Sequence, residues 1–284
     1  MKKSRAIVAG IATFALVGAL GMFGCSGGSN NGGSAAPKAD AIELQIFAAN
    51  SLEKALPEVQ ALYTKAHPEV TFSDTQFKAS GDLVTELKGG ATADLLITAS
   101  GATMDDAEAA KAVDTATRTD MFTNELVVVQ SIGAKVQATK LEDLKKIDGK
   151  IAVGEPSVVP AGKYANQALA SVGLYSNPEG VDGKYDESIA KKIVEADKVG
   201  TACQYVASGD CAVGFVYTSD LYRYEGVDVA FTTPSDSHKP IKYPGAVCTT
   251  TKNADTAADF MNFCLTDADA QKVWATYGFE MAAK

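Results

Sequence analysis

The stretch ELQIFAANSLEKALPEVQAL, residues 43–62, decides the fold class. Its first six residues are mostly apolar and predict a strand. The following residues place an apolar stripe on one face of a helix: Leu52, Ala55, Leu56, Val59 and Leu62. Pro57 interrupts this pattern near its start, where we expect it to bend the helix. Ser51 lies at the junction, a position where serine often caps a helix, so the stretch predicts one strand–turn–helix unit.

Strand and helix patterns alternate along the chain outward from this unit. Further strands are predicted at 69–73, 94–98, 125–130, 151–153, 191–194, 211–217 and 243–249. Further helices are predicted at 82–88, 103–111, 141–146, 161–171, 198–207, 254–264 and 267–276. Such alternation is typical of an α/β protein whose sheets are mostly parallel and flanked by helices.

The amino-acid composition excludes several classes of function. The chain has 284 residues, of which 46% are hydrophobic and 21% charged, which fits a folded protein of about two domains. Its 26 Lys and Arg against 35 Asp and Glu give a net charge of −9, which argues against nucleic-acid binding. Its two histidines, His67 and His238, argue against a histidine-built metal or catalytic centre. We therefore expect no catalytic residues, no bound metal cation and no cofactor.

The N-terminal residues resemble a bacterial lipoprotein leader. Residues 1–5 are basic and residues 6–23 are almost wholly apolar, which predicts a signal peptide over 1–24. Cys25 then becomes the lipidated N-terminus, and the Gly- and Ser-rich residues 25–40 form a flexible tether. The other interpretation is an uncleaved N-terminal anchor. Both place the body outside the cytoplasm, in a periplasm or on the cell surface.

Four cysteines remain in the body: Cys203, Cys211, Cys248 and Cys264. An even number in an oxidising compartment favours disulfides over free thiols, although the sequence permits three pairings. We favour Cys203–Cys211 and Cys248–Cys264, because each pair would join a helix to a neighbouring strand. Zinc binding would need closer spacing of the cysteines.

Several helices begin directly after strands. Ser51, Ser80, the segment 158–162 and the segment 197–201 all occupy such starts. Helix starts present unpaired N–H groups and the positive end of the helix dipole, so they bind anions. In open α/β sheets these starts gather at the carboxyl ends of the strands, where ligands bind. The alternative is ordinary capping, in which each serine bonds only its own backbone.

Nine stretches, in order, resemble the extracytoplasmic molybdate-binding proteins of ABC importers. They are FAANSL (47–52), SGDL (80–83), ADLLITAS (93–100), AVDTATR (112–118), ELVVVQ (125–130), AVGEPSVVPAGKYA (152–165), GFVYTSD (214–220), SDSHKPIKYPGAV (235–247) and YGF (277–279). The resemblance covers residues 42–280. It implies a two-lobed periplasmic-binding-protein fold of type II, with the ligand in the cleft between the lobes.

The resemblance also implies lobe boundaries and partners. Lobe I would comprise 41–122 and 244–284, and lobe II would comprise 123–243, with crossovers near 122–125 and 240–244. The protein would act as a monomer, closing on its ligand as a hinge. It would deliver that ligand to an ABC importer permease driven by an ATPase.

The family's oxyanion ligands fall on five residues of this chain: Ser51, Ser80, Ala161, Val199 and Tyr217. The resemblance implies that the serines donate through hydroxyl and backbone N–H, Ala161 and Val199 through backbone N–H, and Tyr217 through its phenol. Molybdate, a dianion at pH 7 that only accepts hydrogen bonds, suits such donors. Hydrogen phosphate carries a proton that needs an acceptor, and sulfate is smaller. Tungstate matches molybdate in size and charge, and another oxyanion such as sulfate is the alternative ligand.

A second hypothesis, that the protein is a serine hydrolase, also finds a matching motif in the sequence. Ser51 and Lys54 match the pattern S-x-x-K, in which a lysine serves as base for a nucleophilic serine. The companion motifs S-D-N and K-T-G are absent from the sequence, so we favour the binding protein over the enzyme.

Overall fold

Strands and helices alternate in the computed structural model, which describes residues 41–136 and 138–283. The strands are β1 (Ile42–Leu44), β2 (Ile46–Ala49), β3 (Val70–Phe72), β4 (Gln76–Lys78), β5 (Leu95–Ile97), β6 (Thr119–Thr123), β7 (Leu126–Ser131), β8 (Ile151–Gly154), β9 (Ile193–Ala196), β10 (Val213–Tyr217), β11 (Val227–Thr232), β12 (Lys242–Val247) and β13 (Glu280–Met281). The α-helices are α1 (Ala55–Ala66), α2 (Ser80–Lys88), α3 (Gly101–Ala109), α4 (Pro160–Ser171), α5 (Glu187–Ala190), α6 (Val199–Ala207), α7 (Ala254–Thr266) and α8 (Ala268–Thr276). Short 3-10 turns occupy Asn50–Leu52, Thr115–Thr117, Leu141–Lys145 and Thr218–Tyr222.

Two mixed sheets carry the fold. One has six strands in the order β13-β6-β12-β5-β2-β4, the other five in the order β11-β7-β10-β8-β9, and β1 pairs with β3 separately. The α/β class is confirmed, but the expectation of mostly parallel sheets is wrong. Parallel pairs join β2 to β4 and β5, and β8 to β9 and β10. Strands β6, β7, β11, β12 and β13 make only antiparallel pairs.

The chain passes twice between the two sheets. Strand β6 of the six-stranded sheet ends at Thr123, and β7 of the five-stranded sheet begins at Leu126. Residues 124–125 therefore form the first passage. The second passage is residues 233–241, between β11 and β12. Asn124 therefore lies in the first passage, and Tyr243 lies just beyond the second.

Strand β2, which lies between β5 and the edge strand β4, is buried on both faces. Ile46 and Ala48 pack into a large apolar cluster, whereas Phe47 between them packs into a smaller cluster with Leu83 and Leu96. A strand covered on both faces has no polar side, which explains its continuous apolar sequence.

Helix α1 begins later than the sequence pattern predicts. The residues Asn50–Leu52 form a separate 3-10 turn, and α1 begins at Ala55. Pro57 thus falls in the first turn of the helix, where its missing N–H removes no helical hydrogen bond.

The predicted disulfides are wrong: Cys203, Cys211, Cys248 and Cys264 are buried free thiols. Cys248 belongs to the smaller apolar cluster and Cys264 to the larger one, so their side chains pack into different interiors. Cys203 and Cys211 both belong to the larger cluster and are likewise free thiols. Burial raises the pKa of Cys203 and of Cys248 to about 12, which keeps both protonated and unreactive.

The predicted signal peptide, Cys25 and tether lie outside the described residues. Within 41–136 and 138–283, no helix is both long and apolar enough to cross a membrane.

Candidate functional site

The structure brings all five predicted ligand residues to the rim of one small, narrow cavity: Ser51, Ser80, Ala161, Val199 and Tyr217. The first two follow strands β2 and β4 of the six-stranded sheet. The other three come from α4, α6 and the end of β10, on the five-stranded sheet. The cavity therefore lies between the carboxyl ends of strands from both sheets, the place where α/β folds bind ligands.

Ser80 is held as a hydrogen-bond acceptor by the protein itself. It is the first residue of α2 and is almost fully buried. Its Oγ accepts the backbone N–H of Ala99 at 3.0 Å and caps no N–H of α2. The ordinary-capping interpretation is therefore wrong for Ser80. Because its oxygen already accepts a bond, the hydroxyl proton is left to donate elsewhere.

Ser51 also bonds a distant residue instead of its own turn. It lies in the 3-10 turn after β2, which has no side-chain cap. Its Oγ is 2.8 Å from the hydroxyl of Tyr243, a fully buried residue 192 positions away. Ordinary capping is wrong here as well. Lys54, the base that the hydrolase hypothesis needs, is exposed, and the hydroxyl beside Ser51 belongs to Tyr243.

Tyr217 presents a buried hydroxyl that has no hydrogen-bond partner among the described residues. The residue is 1% exposed and lines the cavity. Burial raises the pKa of the phenol well above its usual value, so the group remains a protonated donor. Leaving such a group unpaired costs about 1–3 kcal/mol. The geometry therefore suits an acceptor inside the cavity.

Two helix starts add backbone donors. Helix α4 begins with Pro160, which has no N–H, so Ala161 carries the first N–H of that helix. Helix α6 begins with Val199, whose N–H has no partner within the helix. The next N–H of α6, that of Gly200, donates to Asn50 Oδ1 at 3.2 Å. Each start also brings the positive end of a helix dipole to the cavity.

The donors around the cavity are uncharged. Lys78 is the one charged residue among those lining it, and its ammonium group pairs with Glu86 at 2.6 Å. Within the described residues, no group of three or more His, Cys, Asp or Glu side chains has the arrangement of a metal site. The cavity therefore offers neutral hydrogen-bond donors, a set that suits an anion without a proton.

The two sides of the cavity touch directly. Gly81 of α2 donates its N–H to the carbonyl of Val158, ahead of α4, at 3.0 Å. A Cβ at Gly81 would lie 2.7 Å from the Cα of Val158, so only glycine fits there. The Asn50–Gly200 bond joins the same two sides at a second point.

A buried arginine ties the sides together at a third point. Arg223 pairs with Asp220 and with Glu53, each at 2.6 Å, and donates to Asn50 Oδ1 at 3.2 Å. The Arg223 side chain is 2% exposed and that of Asp220 is fully buried. Burial raises the pKa of the Asp220 carboxyl, and the Arg223 guanidinium acts in the opposite direction. Asp220 and Arg223 follow β10, whereas Asn50 and Glu53 follow β2.

Sequence reasoning missed Asn124, Arg223 and Tyr243. Arg223 meets Glu53 across the cavity and Tyr243 meets Ser51 on the same side of it, and each pair is more than 100 residues apart in the chain, so no local pattern links them. The one local signal for these contacts was Asn50, a polar residue next to the predicted ligand residue Ser51. Its Oδ1 accepts a hydrogen bond from Arg223.

Comparison with known proteins gives a consistent result. A family described as bacterial extracellular solute-binding protein matches residues 44–280. The molybdate-binding protein ModA of Escherichia coli (strain K12) is 34% identical over 250 residues, which cover 85% of this chain and 90% of that protein. A Bacillus subtilis (strain 168) protein provisionally named the ABC transporter substrate-binding lipoprotein YvgL is 31% identical over 98% of both chains.

A solved structure agrees over the same region. The substrate-binding domain of a provisionally assigned molybdenum ABC transporter from Clostridium difficile is 33% identical to this chain and superposes with a TM-score of 0.63. The match covers 86% of this chain and all of that domain.

Proposed function

Because the chain belongs to the family of bacterial extracellular solute-binding proteins, we propose that its cavity binds molybdate for delivery to an ABC importer. Such a protein binds its ligand outside the cytoplasm and catalyses no reaction. The names of its relatives in Escherichia coli and Clostridium difficile support molybdenum oxyanions as the ligand class.

One observation carries the proposal: the buried Tyr217 hydroxyl, without a partner among the described residues, in a cavity lined by neutral donors. An unprotonated oxyanion would accept that bond. Charge-assisted hydrogen bonds contribute on the order of 1.5–3 kcal/mol each, so a few donors bind a dianion without a buried lysine or arginine. The proposed ligands are Ser51, Ser80, Ala161, Val199 and Tyr217.

The donor set favours some oxyanions over others. Molybdate and tungstate are alike in charge and size, so tungstate binds as well in this proposal. Hydrogen phosphate would bury a proton beside donors only, which is costly. Sulfate has the right protonation state but is smaller, and it remains the competing ligand.

The remaining parts of the proposal concern the whole protein. The part of the chain that carries the six-stranded sheet forms one lobe and the part that carries the five-stranded sheet forms the other, within a few residues of the expected bounds 41–122 with 244–284 and 123–243. The contacts across the cavity support closure around the ligand. The partners are an ABC permease and its ATPase. A lipid on Cys25 anchors a monomer to the outer face of the cell membrane, as the lipoprotein name of the Bacillus subtilis relative suggests.

Calorimetric titration of residues 41–284, freed of ligand, tests the function. We expect one-to-one binding of molybdate and tungstate and no heat from phosphate. Ser80→Asp places a carboxylate at the cavity and abolishes binding, because it repels a dianion. Ser235→Asp, the same change at an exposed serine, leaves binding intact. Absence of molybdate binding by the unmodified protein, or unchanged affinity in Ser80→Asp, would contradict the proposal.

A further inference from the structure

A chain of hydrogen bonds leads from the first passage between the sheets to the cavity. Asn124 Nδ2 donates to the hydroxyl of Tyr243 at 3.4 Å and to Ser219 Oγ at 2.9 Å. The Tyr243 hydroxyl is 2.8 Å from Ser51 Oγ, and Ser51 lines the cavity. Ser51 and Tyr243 are at least nine-tenths buried, so water does not compete for the bond between them, whereas the bonds of Asn124 are partly buried.

The direction of this chain is fixed at its outer end. Asn124 Oδ1 accepts the backbone N–H of Glu125 at 2.9 Å, which turns the amide nitrogen toward Tyr243. An amide nitrogen only donates, so the Tyr243 oxygen accepts from Asn124. The phenolic proton of Tyr243 is then free to bond Ser51 Oγ. When Ser51 accepts that proton, its own hydroxyl proton is left for the cavity.

The Ser80 hydroxyl is also left with a proton to donate, but through a different hydrogen bond. Its oxygen accepts the N–H of Ala99, so its proton is also left over. Both cavity serines thus have an oxygen occupied by a protein donor. A serine without such a neighbour donates or accepts as its ligand requires, because its hydroxyl rotates freely.

We propose that Tyr243 and Asn124 are positioning residues that hold Ser51 as a donor and so make the cavity select unprotonated oxyanions. This inference rests on the proposed function. The residues touch no ligand themselves. They set which way the proton of Ser51 points, and with it the discrimination between molybdate and a protonated anion of equal charge such as hydrogen phosphate or hydrogen arsenate.

Two variants separate this role from a merely structural one. Tyr243→Phe keeps the ring, including its edge-on packing against Tyr217, and removes only the hydroxyl. Asn124→Asp keeps the shape and replaces the donor with an acceptor. The carboxylate then accepts the Tyr243 proton, Tyr243 accepts from Ser51, and a lone pair of Ser51 faces the cavity.

The experiment is calorimetric titration of residues 41–284 and both variants with molybdate and with arsenate at pH 8, where arsenate carries one proton. Tyr243→Phe should weaken molybdate binding about five- to tenfold, the effect of losing one hydrogen bond. Asn124→Asp should lower the molybdate-to-arsenate affinity ratio by at least about tenfold. The ratio is the deciding readout, because the added charge repels both dianions alike.

A double-mutant cycle with Ser51→Ala completes the test. If Tyr243 acts through Ser51, Tyr243→Phe has little further effect once Ser51 is alanine. Additive losses, or an unchanged ratio in Asn124→Asp, would overturn the inference while leaving the proposed function in place. Absence of molybdate binding by the unmodified protein would overturn the proposed function instead. Thermal unfolding verifies that each variant is folded.

Discussion

At the residue scale, Tyr217 shows how binding and stability oppose each other. Its hydroxyl is buried without a partner among the described residues, which destabilises the protein alone by about 1–3 kcal/mol. The same hydroxyl makes a strong bond once a dianion accepts it. A residue of this kind contributes to affinity because the protein leaves it unsatisfied.

Tyr217→Phe removes that hydroxyl and keeps the ring. We expect molybdate affinity to fall about tenfold or more, because a hydrogen bond to a charged acceptor is lost. The melting temperature of the ligand-free protein should not fall, since an unpaired polar group is removed. Calorimetry and thermal unfolding measure the two effects. The control is Tyr222→Phe, at a tyrosine that is 53% exposed, and equal affinity losses in the two variants would contradict this role for Tyr217.

At the scale of elements, the start of α2 meets the turn before α4. The Gly81 N–H bonds the Val158 carbonyl, and the two backbones are too close for a side chain between them. This contact holds Ser80 and Ala161, at the starts of the two helices, at a fixed separation. The backbone contact therefore sets the width of the cavity.

Gly81→Ala should widen that contact. Its Cβ would meet backbone atoms of Val158, which cannot rotate away as a side chain does. We expect molybdate affinity to fall about tenfold or more, the cost of overpacking a close contact. Gly101→Ala is the matched control at the start of α3, where the nearest atom is a side-chain nitrogen of Arg118 at 3.6 Å. Equal affinities for the two variants would show that the contact does not control the cavity.

At the scale of the whole molecule, Arg223 links the residues that follow β10 to those that follow β2. It pairs with Asp220 on its own side and with Glu53 on the other. The Asp220 pair lies within the residues that follow β10, whereas the Glu53 bond crosses the cavity. In the proposed hinge closure, only the Glu53 bond depends on the two sides meeting.

Glu53→Gln weakens the closed arrangement and leaves the buried Asp220 pair in place. Glu53 is half exposed, so the expected loss of molybdate affinity is modest, about two- to fivefold, and is seen as faster dissociation. Stopped-flow measurement of molybdate release tests this expectation. Asp269→Asn, which breaks the exposed Lys272 pair within α8, is the control and leaves the release rate unchanged. Equal release rates for Glu53→Gln and the unmodified protein would contradict it.

The hydrophobic pattern of the sequence predicts strands, helices and the junctions between them, but not contacts between residues far apart in the chain. The strand and helix periods identify the junction at Ser80, which is the first residue of α2, whereas Ser51 lies in a separate 3-10 turn ahead of α1. Tyr243, Asn124 and Arg223 could not be predicted, because only tertiary folding brings them to Ser51 or Glu53. Cysteine count and compartment predicted disulfides wrongly, because they carry no information on where each side chain packs. Cys248 and Cys264, for example, lie in different apolar clusters.

The buried thiols have a consequence for the time between export and folding. Within the described residues no disulfide forms, and the four cysteines there are buried in the folded protein. An unfolded chain outside the cytoplasm would expose the same thiols to oxidation. Folding speed, and not disulfide formation, therefore protects the newly exported protein from cross-linking to its neighbours.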